Sequence, residues 1–178
     1  MERKTKSGHD RFGANDRQAM ICERWMTMEV HTVKPFDSVA YARALLEQYR
    51  INQAPVVKNG VLVGIVTDRD LRDAVNTVTV SAQLAGDIEA PQLPNEIPVE
   101  VVMSRNVIAL PPHATLVNAA MVMRRERIGS VPIADGAHLV GILTRSDILD
   151  AFVARENGVP GQTERGAGAT KHKKETSR

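Results

Sequence analysis

Shifted by 77 residues, the chain lies on itself. Met26 falls on Met103, Val30 on Val107, Pro35 on Pro112 and Ala42 on Ala119. Arg50-Ile51 falls on Arg127-Ile128, Pro55 on Pro132, and Leu62-Val63-Gly64-Ile65 on Leu139-Val140-Gly141-Ile142. Thr67, Asp70 and Asp73-Ala74 meet Thr144, Asp147 and Asp150-Ala151. Between 26–75 and 103–152 there are 15 identities in 50 positions without a gap. Ordinary residue frequencies would give roughly three. A duplicated unit of this size constrains the fold more than any other feature, because each copy must offer its twin a face to pack on.

Both copies carry one order of elements. Val30-His31-Thr32-Val33 alternates and is branched, so it reads as a short strand that Pro35 ends. Ser38, and Thr115 in the second copy, precede apolar residues at helical spacing and read as N-caps. Ala54-Pro55-Val56-Val57 reads as a strand whose proline suits a start or an edge. Asn59-Gly60 and Asp135-Gly136 are hairpin signals. The next strand is Val61–Val66, or His138–Leu143, followed by a helix over 68–75, or from 145 to about 154. The expected fold class is therefore α/β (α+β), a β-α-β-β-α repeat used twice. The boundaries read as a disordered tail over 1–17, a first repeat over 18–76 with an entry helix near 18–26, and a linker over 77–98. The second repeat spans 99–154, and a disordered basic tail spans 155–178.

Charge and composition narrow the function. The net charge of +2 sits in the ends: 1–21 hold five Lys/Arg and three Asp/Glu, and 155–178 hold six and three. The body, 22–154, holds 12 and 15, which argues against a dedicated nucleic-acid surface. With three Phe, two Tyr and one Trp, the core must be aliphatic. No apolar run approaches the roughly 20 residues of a membrane span, and the polar start shows no secretory signal. The single Cys22 excludes an internal disulfide, fits a reducing cytoplasm and reads as a packing residue. The five histidines are scattered without metal-ligand spacing. His31 reads as a half-buried strand residue and His113 as exposed. Nucleophile-elbow, P-loop and His-Glu-x-x-His patterns are missing, so no catalytic residue is expected.

The junctions Gly64-Ile-Val-Thr-Asp-Arg-Asp70 and Gly141-Ile-Leu-Thr-Arg-Ser-Asp147 place Thr-x-x-Asp where a strand becomes a helix. Two readings stand together. One is a capping box, with Thr67 or Thr144 as N-cap and Asp70 or Asp147 as its partner. The other is a ligand site. A helix start favours phosphate, Thr can donate a bond to it and Arg69 or Arg145 can add a guanidinium. The carboxylate would repel phosphate but accept two hydrogen bonds from the hydroxyls of a ribose. The cation stands one place later in the first copy than in the second, so the two sites need not bind alike. Arg145 makes the second the better fit to a polyphosphate.

The chain resembles the cystathionine-β-synthase (CBS) domain family. The marks are Met-x3-Val at 26–30, Arg50-Ile51, Ala54-Pro55-Val56-Val57 and Gly-Ile-Val-Thr-Asp-Arg-Asp-Leu at 64–71, with matching motifs at 103, 127–133 and 141–148. The resemblance covers about 130 residues. It implies two repeats packed sheet to sheet around a pseudo-two-fold axis, two clefts, and flat dimers. It implies AMP, ADP, ATP or S-adenosylmethionine as ligand, with Asp70 and Asp147 on ribose and Thr67 and Thr144 near phosphate and sugar. The base would lie between Val30-His31 or Val107-Ile108 and the segment entering the proline strand, Gln53-Ala54-Pro55 or Ser130-Val131-Pro132. The function expected is a cytoplasmic, homodimeric adenine-nucleotide sensor that signals to a separate protein partner, without catalysis, cofactor, metal or membrane. The alternatives are a ligand-free interaction or dimerisation module, or S-adenosylmethionine binding.

Overall fold

The computed structural model describes residues 20–85 and 93–157. The tail expected over 1–17, part of the linker and nearly all of the basic tail lie outside the described residues. The first repeat runs α1 (Val39–Tyr49), β1 (Gln53–Lys58), β2 (Val61–Thr67) and α2 (Asp68–Ala85). The second runs α3 (Leu116–Glu126), β3 (Ser130–Asp135), β4 (His138–Thr144) and α4 (Arg145–Glu156). The two antiparallel hairpins meet at Val61 and His138, making one four-stranded sheet in the order β1-β2-β4-β3.

Local chemistry explains the boundaries. Ser38 Oγ accepts the Tyr41 N–H, and Thr115 Oγ1 accepts the Asn118 N–H, each at 3.1 Å, so both expected N-caps are in place. The helices end on Arg50 and Arg127, both left-handed, with φ of 52° and 57°. Glycine is the usual residue there; an arginine at such a position puts a long cation where the chain turns into β1 or β3. The first hairpin turns on Asn59-Gly60, both at positive φ. In the second, Asp135 pairs with His138, so the turn residues are Gly136 and Ala137, one place later than expected. The helix expected over 68–75 continues to Ala85, because no proline or glycine interrupts the chain before Gly86. The entry helix expected near 18–26 is a single 3-10 turn, Cys22–Arg24.

The expected first strand is reduced to one residue in each repeat. Val33 pairs in parallel with Val56, and Leu110 with Ile133. Val33 N–H donates to the Pro55 carbonyl at 3.1 Å, and Val57 N–H to the Val33 carbonyl at 2.9 Å. Extending this ladder would need an N–H from Pro35 on one side and from Pro55 on the other. Neither proline has one. Pro112 and Pro132 stop the second copy in the same way. Since the N–H and C=O of a strand residue point the same way, Pro55 on edge strand β1 takes no bond from β2.

Each repeat's interior is closed by the other's leading segment. Val33, Val39, Ala42, Leu46, Val56 and Leu71 pack with Val99 and Met103. Leu116, Ala119, Val131, Ile133 and Leu143 pack with Cys22. Backbone pairing follows the same exchange. Thr27 and Ile142 share two hydrogen bonds of 2.9 Å, as Ser104 and Ile65 do at 2.9 and 3.0 Å. Each contact maps onto its counterpart by the 77-residue shift, so the pseudo-two-fold is visible in the packing. Gly141 and Gly64 permit the approach: a Cβ on either would lie 2.5 Å from the sulfur of Met26 or Met103.

Candidate functional site

A cleft of about 590 Å3 opens between the repeats, within the roughly 300–1,000 Å3 of small-molecule sites. One wall comes from the first repeat: Val30, His31, Arg50, Gln53 and Pro55. The facing wall is the start of α4 with the entry to β3: Thr144, Arg145, Ser146, Gly129 and Ser130. The cleft is thus composite, which single-repeat motifs could not announce. On the floor between the walls, Gln53 Nε2 donates to Ser130 Oγ; these two residues are repeat counterparts and sit on the pseudo-axis.

The proline break shapes the first wall. Because the parallel ladder stops at Val33, the backbone of Val30 and His31 is released from sheet pairing where it borders the cleft. His31 is exposed rather than half-buried, and its ring stacks on Tyr49 with centroids 3.5 Å apart. Gln53 and Pro55 share a strand face, so Ala54 between them turns into the first core and is fully buried. The side chains of Ala54 and its counterpart Val131, both fully buried, are not among those lining this cleft, which leaves their backbone as what either can offer a ligand.

At the second wall the Arg145 N–H donates to the Gly129 carbonyl at 3.1 Å, tying the helix start to the entry of β3. A Cβ on residue 129 would lie 3.2 Å from the Arg145 guanidinium, so glycine lets that side chain lie along the backbone. Arg50, Arg145 and the N-terminus of α4 make this end of the cleft positive, with Glu29 the one acidic lining residue.

Both acidic side chains act as caps. Asp147 Oδ2 accepts the Thr144 N–H and hydroxyl, each at 2.7 Å, while Thr144 Oγ1 accepts the Asp147 N–H at 3.3 Å. Asp70 and Thr67 repeat the arrangement at 2.9, 2.7 and 3.2 Å. A hydroxyl has one proton, and here it goes to the carboxylate. In this arrangement neither Thr67 nor Thr144 has a hydroxyl proton left for phosphate, which leaves backbone N–H groups and arginine. Asp147 sits half-buried next to Ser146 and is not in the cleft wall; Oδ1 takes part in none of its cap bonds. The 77-residue relation carries the walls onto Val107, Ile108, Arg127, Ser130 and Pro132 facing Thr67, Asp68 and Arg69, with Asp70 behind them. The reading of the sequence missed Arg50, Thr27 and Gly129; the signal for Arg50 was its recurrence as Arg127.

Among the described residues no group of His, Cys, Asp or Glu could hold a metal, and no helix is long and apolar enough to cross a membrane. A duplicated α/β unit with a charged cleft across its pseudo-axis defines a class, the paired-repeat small-ligand modules. The CBS domain model matches residues 22–77 and 99–154, and the chain belongs to the CBS domain family. The CBS domain-containing protein YhcV of Bacillus subtilis is 33% identical over 132 residues, 74% of this chain and 85% of that protein. The crystal structure of CBSX2 in complex with AMP superposes with a TM-score of 0.64 at 25% identity, covering 77% of this chain and 98% of that one. The CBS domain pair of protein MJ0100, in complex with 5′-methylthioadenosine and S-adenosyl-L-methionine, gives 0.60 at 27%, covering 74% and 98%.

Proposed function

We propose that this CBS pair is a regulatory module that binds an adenine nucleotide, AMP, ADP or ATP, in the composite cleft. The observation that carries the reading is the pairing of released backbone at Val30-His31 with the positive start of α4. Adenine needs hydrogen-bonding edges, which the His31 backbone can offer, and an aliphatic slot, which Val30, Pro55 and Ile142 form. Phosphate needs cations and N–H groups, which Arg50, Arg145 and the helix start offer. The ribose hydroxyls are assigned to Asp147 Oδ1, and in the second cleft to Asp70. The likeness to CBSX2 with AMP supports the ligand class. S-adenosylmethionine is the second reading, supported by the likeness to MJ0100; its cationic sulfonium suits the two arginines less than a phosphate does.

The module acts without catalysis, in the cytoplasm, and passes its state to a separate protein by a change of shape on binding. It works as a homodimer. The exposed Val117 and Met121 of α3, with Phe152 and Val153 of α4, supply the apolar surface. The test is thermal melting with and without each adenine ligand. At 100 times its dissociation constant a ligand adds about 2.7 kcal/mol of stability. Asp147→Ala should shrink that increment, over and above its own capping loss of about 1 kcal/mol without ligand. No increment with any adenine ligand would leave the interaction module as the function.

A further inference from the structure

A second cavity, of about 530 Å3, opens between α3 and α4. Met123, Ile128, Ile148 and Leu149 form its floor, and Arg124, Arg127 and Arg145 its rim. No acidic side chain lines it. Among the described residues none of the three guanidiniums is in an ion pair.

The duplication supplies an internal control. Ala120, Arg124, Arg145 and Leu149 correspond to Arg43, Glu47, Asp68 and Arg72. In the first repeat those four form two ion pairs, Arg43–Glu47 at 3.5 Å and Arg72–Asp68 at 2.9 Å. The second repeat has arginine in place of both acids and an apolar residue in place of both partners. One copy neutralises this face; the other holds three like charges around an apolar hollow. A concave surface of one sign with low-dielectric walls concentrates counter-ions, and guanidinium forks match carboxylate and phosphate.

We propose that this cavity is a ligand site separate from both clefts, taking a small amphiphilic anion. Its phosphate or carboxylate head is held by Arg124 and Arg127, and its apolar body lies on Met123, Ile148 and Leu149. Arg145 borders both this cavity and the cleft, so the two sites share one guanidinium. The proposal stands whether or not the cleft binds a nucleotide, because occupancy here is read directly.

Octyl phosphate is the probe, titrated into the full chain by calorimetry, with 1-octanol lacking the charge and inorganic phosphate lacking the body. Arg124→Glu and Leu149→Arg each install the first repeat's residue at an exposed position, and neither lines the cleft. Each should weaken octyl phosphate at least tenfold while AMP affinity stays within twofold; melting curves confirm that the variants fold. Octanol or inorganic phosphate binding as well as octyl phosphate, or both variants keeping their affinity, would overturn the proposal. So would a parallel loss of AMP affinity, since the arginines would then hold the nucleotide's own phosphate.

Discussion

Replacing Gly141 by alanine tests the exchange of leading segments through the sign of its effect. Inside a strand with open space beside it, Gly→Ala stabilises by about 0.5–1 kcal/mol, because the unfolded chain loses freedom. Here the new Cβ would meet Met26 Sδ at 2.5 Å, Met26 Cγ at 2.8 Å and the Thr27 carbonyl at 3.1 Å. The thioether can swing away, but the Thr27 carbonyl is fixed by its 2.9 Å bond from the Ile142 N–H. Overpacking of this kind costs about 1–3 kcal/mol, which outweighs the backbone gain and leaves a net loss of about 1–2 kcal/mol. For a body of this size that is about 4 °C in Tm per kcal/mol. Gly64→Ala should cost at least as much, since Met103 is the better buried of the two sulfurs. The assay is urea unfolding of Gly141→Ala, Met26→Ala and the double variant. Trimming Met26 removes the main clash, so the double should be more stable than the two losses added together, by at least about 0.5 kcal/mol. A Gly141→Ala protein that melts higher than wild type, or losses that simply add, would refute the contact between residue 26 and β4.

Three further outcomes follow from local geometry. Ser38→Ala and Thr115→Ala each remove an N-cap and should cost about 1 kcal/mol in urea unfolding, with similar values at these counterpart positions. Burial pushes the Cys22 thiol up from 9.0 to about 11, so a thiol reagent at neutral pH should label it only as fast as the protein opens, and at once in denaturant. The same shift makes stability fall with pH. Between 9 and 11 the unfolded chain releases the proton that the folded chain keeps, so a contribution of about 3 kcal/mol, complete below pH 9, disappears as pH passes 11. Cys22→Ala should remove that slope from a pH series of denaturation midpoints.

The elements were legible because their signals are local. Caps at Ser38 and Thr115, the Asn59-Gly60 turn and the apolar strands each lie within a few residues of what they determine. The strand at Val30–Val33 misled because alternation reports side-chain facing. Whether a ladder forms depends on N–H groups, and Pro35 and Pro55 withhold them at positions 20 residues apart. His31 was misjudged for a related reason: nothing in the sequence around it points to the Tyr49 ring. The cleft was half legible. Thr144, Arg145 and the Val30-His31 segment were named in advance, but as parts of separate repeats. Their meeting depends on Met26–Thr27 crossing to β4, a long-range contact with no local signal in the sequence. The Thr-x-x-Asp motif carried two meanings at once, and the cap bonds satisfy one of them through a single carboxylate oxygen.

The crossing of Thr27 to β4 and of Ser104 to β2 has a consequence for how such a chain is made. Half of it, from Ile97 to Asn157, carries an opening stretch that fits only another molecule's hollow. Expressed alone, that half should be found as a two-chain assembly, with no stable form below the concentration at which the chains meet. Joining two halves end to end replaces that encounter with a tether, at an effective concentration on the order of millimolar. Once tethered, the halves need not match, and one flank holds acids where the other holds arginines.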